Sequence, residues 1–183
     1  MSPLLLIIGI IFIVGIILIT IYNGLAKARV LYQEGWSGIG TFLQQRNDVL
    51  PNLVEIVKGY AGHENKTLTD VVTARNESIS AATPEAQIEA AKNLGQAMVN
   101  FKSLTEQYPA LQANSNFLQL QQQVDAMEEK INQSRRYYNG TARDYNQKIV
   151  VFPNNIIAGM FGFTAATFFQ EEEKSHAVPS IKF

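Results

Sequence analysis

From Leu4 to Ile21 the chain reads LLLIIGIIFIVGIILITI, and no charged side chain occurs before Lys27. These eighteen residues would rise about 27 Å as a helix, close to the roughly 30 Å of a bilayer's hydrocarbon core. A core helix of a soluble protein keeps a polar stripe, and this one has none. The anchor side chains are Leu4, Leu5, Leu6, Ile7, Ile8, Ile10, Ile11, Phe12, Ile13, Val14, Ile16, Ile17, Leu18 and Ile19. Together they contribute about −4 to −8 kcal/mol towards insertion. The pattern predicts a transmembrane helix over residues 4–22 behind a tail of residues 1–3. Ala26 and Ala28 imitate a signal-peptide cleavage site, but no basic segment precedes the apolar run and the run is too long, so an uncleaved anchor is expected.

Beyond the span the periodicity is helical. Leu25, Tyr32, Trp36, Ile39 and Leu43 share one face, and a helix can run on from the membrane through them. Gly24, Gly35, Gly38 and Gly40 weaken it and allow close packing or a kink. Asn47 or Asp48 then offers a cap and Pro51 fits the first turn of a new helix, which Leu53, Ile56, Val57, Tyr60, Leu68, Val71 and Val72 continue. Residues 78–86, SISAATPEA, read as a turn with Thr83 as N-cap and Pro84 at the first helical position. A third helix carries Ile88, Ala91, Leu94, Met98, Phe101, Leu104 and Tyr108 on one side and stops at Pro109. Asn114 or Ser115 caps the last helix, of about 35 residues at roughly 50 Å. There Phe117, Val124, Ile131, Tyr138, Tyr145 and Phe152 recur every seventh position, supported by Leu120 and Met127, as in a coiled-coil seam.

No strand-like alternation occurs. The expected fold is all-α, an N-terminal transmembrane helix followed by an elongated up-and-down bundle of about four helices over residues 23–152. Residues 153–169 follow as an apolar segment and 170–183 as a polar tail. Ile156, Ile157, Met160, Phe161, Phe163, Phe168 and Phe169 carry too much apolar surface to leave in water, so this segment is expected to dock on its own bundle, on a neighbouring subunit or at the membrane interface.

Composition adds mainly exclusions. The 183 residues are 46% hydrophobic and 17% charged with a formal net charge of −1, which leaves no electrostatic footprint for nucleic acid. There is no cysteine, and His63 and His176 are the two histidines. His63-Glu64 lacks the second histidine of a zinc-binding HExxH pattern and reads as a polar helix surface. No phosphate-cradling loop or nucleophile elbow occurs, so no catalytic, cofactor or metal residue is assigned and no small-molecule substrate is expected. Glu171, Glu172 and Glu173 read as a solvated run, and Arg135, Arg136, Arg143 and Lys148 as a basic flank able to meet phospholipid or an acidic partner. Asn-x-Ser/Thr triplets at Asn65, Asn76, Asn132 and Asn139 fall within expected helices. Tyr22-Asn23, Tyr138-Asn139 and Tyr145-Asn146 are expected to supply polar contacts between helices, because a buried tyrosine ring needs a partner for its hydroxyl.

The segments YNGLAKAR, EGWSGIG, RNDVLPNLVEIVKGYAGHE, EQYPALQANSNFLQLQ, RRYYNGTARDYNQKIVVFPNN and GMFGF, in this order from about Tyr22 to Phe169, resemble the LemA family. Gly35, Gly40, Gln44, Gln45, Ala110 and Gln112 depart from the usual family pattern. The resemblance implies a bacterial inner-membrane protein with one span and a helical cytoplasmic domain. It supplies no catalytic residue, and a magnetosome-associated relative suggests a part in membrane shaping. The positive-inside rule agrees, since Lys27 and Arg29 follow the span while Met1-Ser2-Pro3 carries no basic residue, placing the N-terminus outside. The expected function is a non-enzymatic scaffold on membrane lipid that assembles with copies of itself, the alternative being a signalling or quality-control adaptor for an unidentified protein partner.

Overall fold

The computed structural model describes residues 3–62 and 66–169. Its regular elements are α1 (Pro3–Ala61), α2 (Lys66–Ser80), α3 (Pro84–Thr105), α4 (Pro109–Gln112), α5 (Ser115–Val150) and α6 (Asn154–Met160). The chain is all-α, with no strand among the described residues. Local capping follows sequence: the Thr83 hydroxyl accepts from the Ala86 N–H at 3.2 Å, and the Asn114 side chain accepts from the Phe117 N–H at 3.1 Å.

The break expected between residues 47 and 51 does not occur. α1 runs for 59 residues with Pro51 inside it, about 90 Å at 1.5 Å per residue. A proline inside a helix has no N–H for the carbonyl four residues back, here that of Asn47. Arg75 of α2 supplies the missing donor, its Nε reaching the Asn47 carbonyl at 2.7 Å. The Asn47 side chain caps nothing and donates instead to the Ser78 hydroxyl of α2 at 3.0 Å. α2 therefore splints α1 across the proline. Arg75→Met is expected to cost about 2 kcal/mol, since hydrogen bonds from charged donors contribute about 1.5–3 kcal/mol. In a Pro51→Ala background, where residue 51 regains its N–H, the same change should cost clearly less. Denaturant unfolding of the detergent-solubilised chain, followed through Trp36, measures both, and equal losses would refute the splint.

α1 and α5 form an antiparallel spine. Gly35 lies against Tyr138, while further along α1 Arg46 pairs with Glu128, further back on α5. At Gly35 a Cβ would stand 3.2 Å from the Tyr138 Cα, tighter than ordinary van der Waals separation, so this glycine sets how closely the two backbones approach. α2 and α3 pair with each other and cover the end of the spine remote from the span, where Leu50, Leu53, Val57, Val71, Leu94, Phe101, Leu111 and Phe117 share one core. Nearer the span, Ile39, Leu43, Ile131, Tyr138, Tyr145 and Phe169 share a second.

Phe117, Val124, Ile131, Tyr138 and Tyr145 are all buried on this spine, with Leu120 and Met127 half-buried beside them. Phe152 is not, at 80% exposure. A heptad phase has meaning only inside a helix, and α5 ends at Val150 because the position before Pro153 disfavours helical backbone.

Candidate functional site

Residues 4–21 lie on α1 with none of the apolar span buried by the rest of the fold. Every anchor side chain from Leu4 to Ile19 is exposed, Leu4 at 65% and Phe12 at 68%. α1 is one helix long and apolar enough to cross a membrane.

The segment after α5 divides in two. α6 ends at Met160 and the chain turns at Gly162, whose φ of 69° is the left-handed conformation glycine permits, and the Phe163 N–H closes the helix on the Ala158 carbonyl at 2.9 Å. The chain then runs back along α5. The Tyr145 hydroxyl donates to the Thr164 carbonyl at 2.9 Å, and the Asn146 amide both donates to the Ala166 carbonyl and accepts its N–H, at 2.9 and 2.7 Å. One heptad earlier the Tyr138 hydroxyl donates to the Thr167 carbonyl, and Asn139 grips both backbone groups of Phe169, at 2.8 and 2.9 Å. The spacing explains the repeat. Seven residues of helix advance about 10.5 Å, and three of extended chain about 10 Å, so each Tyr-Asn pair meets every third residue of the returning chain. The polar contacts expected between helices are thus made to an extended segment, because its backbone has no sheet partner and must be satisfied by side chains. Tyr22 serves differently, its ring lying edge-on to Phe161 and Phe163 at 5.0 and 5.8 Å.

Burial raises the pKa of Tyr138, helped by Tyr32 and Glu85, and that of Tyr145, helped by Tyr32 and opposed by Arg29. A phenol whose folded pKa is raised leaves stability intact below its unfolded pKa and reduces it as pH rises beyond that value, about 10. Unfolding free energy is therefore expected to fall above about pH 10, and to fall less in Tyr138→Phe or Tyr145→Phe. Each variant should lose about 1 kcal/mol at neutral pH with its hydrogen bond. Unfolding curves at several pH values compare them.

Ile157, Ala158, Ala166 and Phe169 are buried and Phe163 half-buried, whereas Ile156, Met160, Phe161 and Phe168 stay exposed. Ile157 and Ala158 sit on Leu25 and Ile21 of α1, at the end of the span. The Arg135 guanidinium stacks over Phe169 at 4.3 Å and that of Arg29 over Phe163 at 5.9 Å. Arg136 and Arg143 lie near Glu129 and Asp144 at 3.8 and 3.7 Å on the surface, and Lys148 is exposed.

A groove of about 930 Å³ opens between α1, α3 and α5, lined by Arg46, Glu89, Lys92, Glu128, Asn132 and Phe169 among others. Arg46 is 2% exposed. Its Nη1 pairs with Glu128 at 2.7 Å, while its Nε and Nη2 have no hydrogen-bond partner among the described residues. The pattern of periodic apolar positions carried no sign of this arginine. Asn76, Asn132 and Asn139 lie within helices. No group of three His, Asp or Glu able to hold a metal occurs among the described residues. His63, Glu64, Asn65, His176, Glu171, Glu172, Glu173 and the tail 170–183 lie outside them.

The LemA family profile matches residues 35–183, covering most of the spine, both cores and the Tyr-Asn ladder. The chain belongs to the LemA family. Among relatives, Protein LemA of Metamycoplasma hominis is 28% identical over 158 residues, covering 82% of this chain and 69% of its own length. Magnetosome protein MamQ 2 of Paramagnetospirillum magneticum is 24% identical over 177 residues, with 82% of this chain covered. Magnetosome protein MamQ of Magnetospirillum gryphiswaldense is 23% identical over the same length, also with 82% covered. The alignments span 65% of the length of these magnetosome relatives.

Proposed function

We infer that this LemA-family chain is a membrane-anchored, non-enzymatic helical scaffold that assembles laterally on the bacterial inner membrane and helps to shape or organise it. The observation that carries this reading is α1 itself, one helix from the apolar span to the far core. A helix that continues without a loop transmits the tilt of the span to the bundle, so neighbouring copies present their sides at a common height. Confinement to a plane raises effective concentration, and weak lateral contacts suffice. The magnetosome relatives favour a membrane-organising role.

The mass of the detergent-extracted particle tests it. A discrete homo-oligomer of the 20.4 kDa chain is expected, and a single-copy particle in native-like nanodiscs as well as detergent would overturn lateral assembly. Lys27 and Arg29, which directly follow the span while residues 1–3 carry no basic side chain, support a cytoplasmic bundle. In this cysteine-free chain, Ser2→Cys should react with an impermeant thiol reagent on intact spheroplasts and Ser180→Cys should not; the reverse labelling would invert the topology.

The groove beside Arg46 favours a second reading, an adaptor that receives an extended acidic segment of another protein. Buried guanidinium nitrogens seek carboxylates, and Asn132 stands one heptad before Asn139, in step with the residues that grip extended backbone. A single-copy particle that retains one defined partner through this groove would favour the adaptor over the scaffold.

A further inference from the structure

α6, the turn before it and the last residue of α5 leave an apolar surface at the membrane end of the bundle. Phe152 is 80% exposed, Met160 72%, Val150 68% and Phe161 58%. Their position along α1 is set by packing, because Ile157 and Ala158 of the same helix rest on Ile21 and Leu25. Ile21 is the last apolar residue of the uninterrupted run, and Leu25 lies one turn beyond, so α6 sits within about 6 Å of the end of the span. The layer between the hydrocarbon core and bulk water is about 5–8 Å thick on each side. The two lengths coincide, and the exposed apolar patch falls inside that layer.

Charge at this level is predominantly basic, the acidic Asp144 lying 3.7 Å from Arg143. Lys27, Arg29 and Lys148 are exposed there, and neither the stretch from Leu4 to Gln33 nor that from Tyr145 to Phe169 contains an acidic residue. Cations flanking an apolar surface at the headgroup level are the arrangement by which interfacial helices hold anionic bilayers. Tyr22, with its ring against Phe161, adds an aromatic side chain of the kind enriched at that depth.

We propose that α6 and the preceding turn form an interfacial collar, with Phe152, Met160 and Phe161 inserted among the lipids of the leaflet from which α1 emerges and Lys27, Arg29 and Lys148 on its anionic headgroups. The collar rests on α1 being a membrane span and goes beyond it. A single helix can tilt and rotate in a bilayer, whereas a helix with a second, lateral foothold cannot do so freely. The lipid-bound collar therefore fixes the orientation of the spine on the membrane.

Depth-dependent quenching on the full chain in proteoliposomes tests it. Single cysteines at Ile11, Met160 and Val99, each labelled with the same environment-sensitive NBD fluorophore, report the span, the collar and an exposed apolar position on α3. The vesicles contain phosphatidylcholine with or without one quarter phosphatidylglycerol, and a shallow spin-labelled lipid as quencher. Ile11 and Met160 should emit as lipid-buried, with Met160 quenched at least twofold more than Val99 and more strongly when phosphatidylglycerol is present. If Ile11 reports lipid while Met160 matches Val99, the collar is wrong and the span stands. If Ile11 also reports water, the span itself fails. Quenching of Met160 that is indifferent to phosphatidylglycerol would overturn the headgroup role of the three cations.

Discussion

Val124→Asp is expected to remove at least about 4 kcal/mol of folding stability, a large part of the 5–15 kcal/mol of an ordinary domain. Val124 is 3% exposed in the remote core, on the same α5 stripe as Phe117 and Ile131. A carboxylate there loses its hydration and meets Asp125 and Glu128, which border the same cavity, so proximity to like charge adds to burial. The comparison is Val99→Asp on α3, at a valine 67% exposed that lines the same cavity. That change should stay within about 0.5 kcal/mol. Denaturant unfolding of the full chain in detergent reads both through Trp36, the single tryptophan, which lies 5.2 Å from the Tyr138 ring. Matching midpoints for the two variants would mean that the buried face of α5 is misassigned.

The second large effect concerns Arg46 and is asymmetric. Its guanidinium is buried, whereas the side chain of Glu128 retains 35% of its exposure. Glu128→Leu removes the charged partner of a guanidinium only 2% exposed and should cost about 3 kcal/mol. Arg46→Met leaves behind a carboxylate that can hydrate and should cost about 1 kcal/mol, since a partly exposed ion pair is screened. Arg46→Met combined with Glu128→Leu should return close to the parent, because replacing both members of a buried pair by apolar groups is often neutral. Equal losses for the two single changes, or a double variant less stable than Glu128→Leu, would show that the pair is held for its own energy rather than to neutralise Arg46.

Pro51 shows why local pattern misleads. Asn47, Asp48 and Pro51 have the residue types and spacing of a helix start, and in an isolated peptide a start is what they would favour. Continuity needs a donor for the Asn47 carbonyl, and the donor is Arg75, 28 residues away in sequence. Nothing in the local pattern carries that information. The Tyr-Asn pairs mislead in a milder way. Their heptad spacing is visible, and so is the need of a buried phenol for a partner, but the partner is a stretch of extended backbone that periodicity records only as apolar residues. The match between seven helical and three extended residues emerges once both backbones are placed.

Helical class, the apolar span, the Thr83 cap, a cap at Asn114 or Ser115 and the five buried positions from Phe117 to Tyr145 follow from the sequence alone, because each depends on residues within one or two turns of one another or on a period that one helix repeats. Where the chain continues through Pro51, how closely α1 approaches α5 at Gly35, and which half of residues 153–169 is covered were decided by tertiary structure. Each of these turns on a donor, a backbone or an apolar surface brought from a distant part of the chain, and on the depth at which packing on Ile21 and Leu25 sets α6.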